Sequence, residues 1–217
     1  MEYQLIRSRR RSLEMRVNEA GQVVVRAPLR LARRDIDHFV RERHDWIERQ
    51  RRQWASRPRP RWRDGDSCRD LGRLLTLRVS VGPRCRVQQD GDRLNVSLPA
   101  PDDETQVCEA VRDWWRCRAR TVYQDSIERQ FHWFAGRGHE LPTLRLKWMR
   151  TRWGSLSRRG YINLNLTLMQ YPLAVIDYVV MHELCHLEHM HHGPAFHALM
   201  DQRMPDWRER ERLLKAR

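Results

Sequence analysis

Val179 to Phe196 reads VVMHELCHLEHMHHGPAF, and the pentapeptide HELCH within it, His182 to His186, decides how the rest of the chain is read. On an α-helix, histidines four residues apart are separated by about 40° around the axis and about 6 Å along it, so both imidazoles can reach one cation. Glu183 sits one step round, on the flank of the pair. This H-E-x-x-H arrangement holds Zn²⁺ through the histidines and offers the glutamate as general base to the attacking water. Upstream, Pro172 suits a first helical turn, and Val175, Ile176, Val179 and Val180 supply an apolar flank for burial.

A catalytic zinc usually takes three protein ligands and keeps a fourth position open. The downstream candidates are His189, His191, His192 and His197. His189 stays on the same helical face but about 10 Å along the axis from His182, a long reach for one tetrahedral ion. Gly193-Pro194 predicts a helix stop near Met190, after which the chain can fold back and bring His192 to the metal. His192 is therefore the favoured third ligand. Glu209 and Glu211 are further carboxylates of the right type, but they lie in an ERER run that reads more simply as a solvated face.

The longer run RWGSLSRRGYINLNLTLMQYPLAVIDYVVMHELCHLEHMHHGPAF, Arg152 to Phe196, resembles the YgjP-like metallohydrolases, whose pattern is RWGSCS, a strand containing LN, then DYVVxHELxHLxHxxHxxxF. The resemblance implies His182, His186 and His192 as zinc ligands and Glu183 as catalytic acid/base, with Phe196 at the H-x-x-x-F position shared with SprT-like zincins. Leu156 stands where the family usually has Cys, so that cysteine is not needed here as ligand or nucleophile. His197 stands where the family usually has Trp.

The chain of 217 residues carries 42 Lys and Arg against 28 Asp and Glu, and only Lys147 and Lys215 are lysines. The surplus of +14 biases the surface towards polyanions, including nonspecific contact with nucleic acid, although a solvated arginine-rich surface reflecting genomic bias is the simpler reading. Five cysteines without a C-x-x-C pair read as reduced thiols, and no apolar run approaches the ~20 residues of a membrane span; the expected location is cytoplasmic, with no membrane partner.

The expected fold class is α+β, a β-rich N-terminal region with one helix over residues 1–100 and a zincin-like metal-binding catalytic domain over 101–217. From Tyr3 to Ala27, alternating segments predict a hairpin turning at Glu19-Ala20-Gly21, and Leu31 to Trp54 has helical spacing. Ser56 to Asp66, rich in Pro and Arg, predicts a loop. LLTLRVSV, CRVQQ and RLNVSL predict three strands before a long charged helix over Glu104 to Phe134, stopped by Gly136 and Gly138. Trp114, Trp115 and Trp133 on that helix read as core before they read as a base-stacking platform. Leu144 to Met149 and Tyr161 to Leu166 predict strands flanking an RTRWGSLSRRG loop, and Pro194 to Arg217 predicts two short helices divided by Pro205.

These features predict a zinc metallohydrolase, a metallopeptidase with Glu183 as base. Arg150, Arg152 and Tyr161 are the candidate substrate-binding groups, and the YINLNL edge could take a peptide by β-augmentation. The same ligands and base serve phosphoanhydride cleavage of a nucleotide, with the loop arginines as phosphate clamps. A nucleic-acid-binding module with a structural metal requires a closed four-ligand site, which the sequence does not supply.

Overall fold

The computed structural model describes residues 2–18, 21–55 and 61–215. The chain is α+β and divides into two compact units, Met1–Arg59 and Pro60–Arg217.

In the first unit, the alternation of Val23, Val25 and Ala27, all buried, gives β3 (Val23–Pro28) a clean apolar face and the central place in a three-stranded sheet. The predicted hairpin forms between β2 (Glu14–Val17) and β3, and its turn at Glu19-Ala20 lies outside the described residues. β1 (Gln4–Ser8) does not join β2 but pairs in parallel with the other edge of β3; its mostly exposed, polar residues suit an edge. The single helix expected from Leu31 breaks at Arg43 (φ −103°, ψ 19°) into α1 (Arg33–Glu42) and α2 (His44–Ala55). The break brings Ile47 of α2 into one core with Ile36 and Val40 of α1. Of the expected loop, Ser56 to Pro60 lie outside the described residues, and Arg61 to Asp66 carry no helix or strand.

The second unit opens with four strands, β4 (Ser67–Asp70), β5 (Arg73–Val81), β6 (Arg86–Asp90) and β7 (Arg93–Leu98), in the order β4-β5-β7-β6. β4 is one strand more than the sequence predicts. It is tied to β5 by a two-residue turn, Leu71 (φ 47°) and Gly72 (φ 84°), whose paired positive φ values match the right-handed twist of a hairpin. The buried residues of this sheet share one core with α3 (Glu104–Ala135), so strands expected to belong with residues 1–100 pack in the second unit. Asp103 caps α3 by accepting from the backbone N–H of Thr105 at 2.9 Å and of Gln106 at 3.3 Å. Trp115 is buried, while Trp114 lies under Arg118 and Trp133 under Arg137 and Arg203, so all three tryptophans serve packing.

A second sheet has the order β8-β10-β9, with β8 (Thr143–Lys147) parallel and β9 (Gly154–Leu156) antiparallel to β10 (Tyr161–Asn165). This corrects two expectations. Part of the RTRWGSLSRRG loop is a strand, and YINLNL is the middle of the sheet with no free edge; the edges are β8 and β9, and of these β9 lines the cleft described below. Asn165 fixes the segment before β9: its Nδ2 donates to the carbonyls of Met149 at 2.7 Å and Arg152 at 2.9 Å.

After a 3-10 turn (Leu166–Gln170), α4 (Leu173–Cys185) runs through the interior and buries residues on nearly every side, including Val175, Ile176, Val180 and Leu184. It ends earlier than the Gly193-Pro194 signal suggests. Tight turns close on it instead, with the His189 N–H donating to the Cys185 carbonyl at 3.0 Å. Pro194 takes the other role open to it and starts α5 (Pro194–Arg203), followed by α6 (Trp207–Lys215). No helix among the described residues is long and apolar enough to cross a membrane.

Candidate metal centre

His182 lies in the last turn of α4 and His186 is its C-cap, so the helix delivers both rings to one side with the i, i+4 spacing read from sequence. His192 arrives from the return of the chain, which reverses where the Gly193 N–H donates to the His191 carbonyl at 2.8 Å. Its Nε2 stands 3.0 Å from that of His182 and 3.2 Å from that of His186. Nitrogens bound to one tetrahedral zinc at about 2.0–2.1 Å lie about 3.3 Å apart, so the three rings fit such an ion with a few tenths of an ångström of opening. Among the described residues this is the one trio of His, Cys, Asp or Glu side chains gathered tightly enough to hold a metal.

The other candidate ligands are not part of the trio. His189 contributes its carbonyl, 2.9 Å from His186 Nδ1; that bond keeps the proton on Nδ1 and turns the Nε2 lone pair to the centre. His197 stacks on Trp207, their ring centroids 5.7 Å apart, and Glu211 pairs with Lys215. Phe196, buried on α5, forms the floor, its ring centroid 5.0 Å from that of His182 and 4.8 Å from those of His186 and His192. Burial, reinforced by the neighbouring histidines, lowers the His182 pKa to about 3, and burial also lowers that of His186. Both rings are therefore neutral at pH 7, the form that ligates a cation.

Glu183 is only 5% exposed. Burial pushes its carboxyl up to about 7, against the downward pull of the Leu156 backbone N–H and the Arg152 charge. Its carboxylate lies against Gly154, where an added Cβ would come within 2.5 Å of Oε1.

The histidines and Glu183 open into a cleft of about 480 Å³. One wall is Arg152 to Leu156, which includes β9; the other is Tyr178 and Val179 of α4 with Glu211, Leu214 and Lys215 of α6. Of the three expected substrate-binding residues, Arg152 is in this wall. Arg150 and Tyr161 are not among the lining residues; Arg150 is exposed, and the Tyr161 ring lies 3.3 Å beneath the Arg145 guanidinium. Sequence reasoning passed over two contributors, Asn165 and Gly154, since neither carries chemistry; an LN step ending a strand and a glycine in RWGS were the available signals.

No curated protein and no solved structure matches the chain. A model of the family described as YgjP-like, metallopeptidase domain matches residues 11–217. Nearly the whole chain is covered by that match and the histidine trio lies within it, so the protein belongs to the YgjP-like metallopeptidase-domain family.

Proposed function

We propose that the protein is a zinc-dependent metallopeptidase in which His182, His186 and His192 hold the ion and Glu183 is the general base. The observation that carries this reading is the convergence of three imidazole nitrogens beside a buried carboxylate whose pKa is raised to about 7. An all-imidazole donor set suits zinc among the divalent metals. When bound, zinc supplies Lewis acidity and lowers the pKa of water towards ~7. A carboxyl poised near neutrality can then take the proton of the attacking water and return it to the leaving group. Arg152 is the cation in the cleft wall best placed to support developing negative charge. The site residues fall between Arg152 and His192, within the 101–217 region that we assign to catalysis.

The substrate reading follows from the edge of β9. The Asn165 N–H donates to the Trp153 carbonyl and the Ser157 N–H to the Tyr161 carbonyl, each at 2.9 Å. In antiparallel alternation, residues 153, 155 and 157 therefore direct their backbone groups at β10, and Gly154 and Leu156 direct theirs away from it. The Leu156 N–H meets Glu183, which leaves the Gly154 N–H and C=O and the Leu156 C=O to pair with an extended polypeptide. The free cysteines support a reducing, cytoplasmic setting.

Arg152 in the cleft favours one second reading, cleavage of a nucleotide phosphoanhydride with the guanidinium as phosphate clamp. The test is incubation of the zinc-loaded protein with nucleoside triphosphates and, separately, with an unfolded polypeptide, using Glu183→Gln as blank. Glu183-dependent peptide cleavage is expected. Release of phosphate or pyrophosphate without peptide cleavage, abolished in Arg152→Ala, replaces the first reading by the second.

A further inference from the structure

Glu183 and Gly154 come from different elements and meet where both line the cleft. A Cβ on Gly154 has as its three nearest neighbours atoms of Glu183 alone: Oε1 at 2.5 Å, Cγ at 2.8 Å and Cδ at 2.9 Å. Gly154 has no positive φ, so its backbone conformation does not require glycine. What requires it is space.

Neither partner has room to retreat. α4 is fixed by buried neighbours of Glu183 such as Val180 and Leu184. β9 is fixed to β10: Trp153 accepts from Asn165, and Asn163 Nδ2 donates to the Ser155 carbonyl at 3.3 Å and to its Oγ at 3.1 Å. The soft element is the Glu183 side chain itself. A methyl group at residue 154 therefore swings the carboxylate off the Leu156 N–H and leaves the three histidines in place.

We propose that Gly154 is a positioning residue for the general base: the missing side chain is the socket that seats the Glu183 carboxylate between β9 and the metal ligands. The inference rests on the assignment of Glu183 as base. It makes β9 a two-sided device, with its open edge for the substrate and its glycine for the base.

The test is a cycle of Gly154→Ala and Glu183→Ala in the zinc-loaded protein, with fluorescein-labelled casein and, in parallel, ATP as probes. Gly154→Ala is expected to lower kcat about 10²-fold or more, of the order of a lost general base, with KM and zinc affinity changed by less than about threefold. Because Glu183→Ala removes all three atoms that crowd the methyl group, Glu183→Ala should cost much less in the Gly154→Ala background than in the parent. Unchanged kcat, or strictly additive losses, overturns the proposal. Two readouts do not depend on turnover. In crystals of zinc-loaded Gly154→Ala the Glu183 carboxylate should have left the Leu156 N–H; an unmoved carboxylate overturns the proposal. If Gly154→Ala folds poorly, adding Glu183→Ala should restore its Tm, and a Tm loss independent of residue 183 overturns it. A parent inactive on both probes rejects the functional assignment, while the crystal and Tm comparisons still decide the seating.

Discussion

His182 and His192 are ten positions apart in the chain, yet their Nε2 atoms lie 3.0 Å apart. The proposed third ligand is thus supplied by a chain reversal, and the ring identities at neighbouring positions are not equivalent. His192→Ala should weaken zinc binding beyond the about 10–100-fold that loss of an outer partner costs. His189→Ala should leave affinity within about tenfold, because His189 contributes its backbone carbonyl to His186 and keeps it in the variant. His197→Ala loses a ring stacked on Trp207 and should likewise stay within about tenfold. Chelator competition measures all three; a loss at His197 as large as that at His192 would show the trio to be wrongly drawn.

Glu183→Gln keeps nearly the same shape and loses the ability to accept a proton. Zinc content and Tm should match the parent, while kcat falls by about 10²–10⁴. Elemental analysis paired with the peptide assay tests this, and full activity in the variant would remove the base assignment.

Glu188 ties the turn after α4 to the end of α3, 2.5 Å from the Arg137 guanidinium and 2.9 Å from His139 Nε2. The Arg137 hydrogen bond, then that of His139, holds its carboxyl down at about 2, against 4.5 for the ordinary group. A depressed carboxyl stabilises the fold fully above 4.5 and loses that contribution as pH falls from 4.5 to 2. Arg137 is half exposed, so solvent screens the pair and the contribution is small. Urea midpoints of the parent should exceed those of Glu188→Gln at pH 6 and converge with them towards pH 2. A constant gap across that range would contradict the pairing.

Gly72 combines a φ of 84° with a neighbour that cannot bend: an added Cβ would lie 2.7 Å from Cγ of Pro172, at the start of α4. Gly72→Ala should destabilise the protein by more than about 1 kcal/mol, seen as a lower Tm. An unchanged Tm would mean that the β4–β5 turn relaxes freely.

The parts of the site legible in the sequence are those where periodicity and chemistry coincide. HELCH sits on a helix whose apolar residues needed burial, and a glycine-proline pair marked where the next helix begins. β9 was not legible, because three residues are too few to show alternation and the surrounding RTRW and SRRG suggest a charged loop. The parallel pairing of β1 with β3 was missed for a different reason: hairpin logic favours sequence neighbours, whereas the strand with the strictest Val23, Val25, Ala27 alternation claims the centre. Nor does any glycine or proline announce the break at Arg43, which follows from where Ile47 must go.

The reversal that returns His192 should also be where the metal site opens. Beyond His189, the last residue whose N–H reaches an α4 carbonyl, Met190 to Gly193 have left the helix, and a bound ion would close this short span like a clasp between His186 and His192. Stripping the ion should let amide exchange and protease nicking begin there while α4 stays protected. Because a ligand stabilises only the closed form, each tenfold rise in free zinc above Kd should deepen that protection by about 1.4 kcal/mol, so that this loop reports the zinc available to the protein.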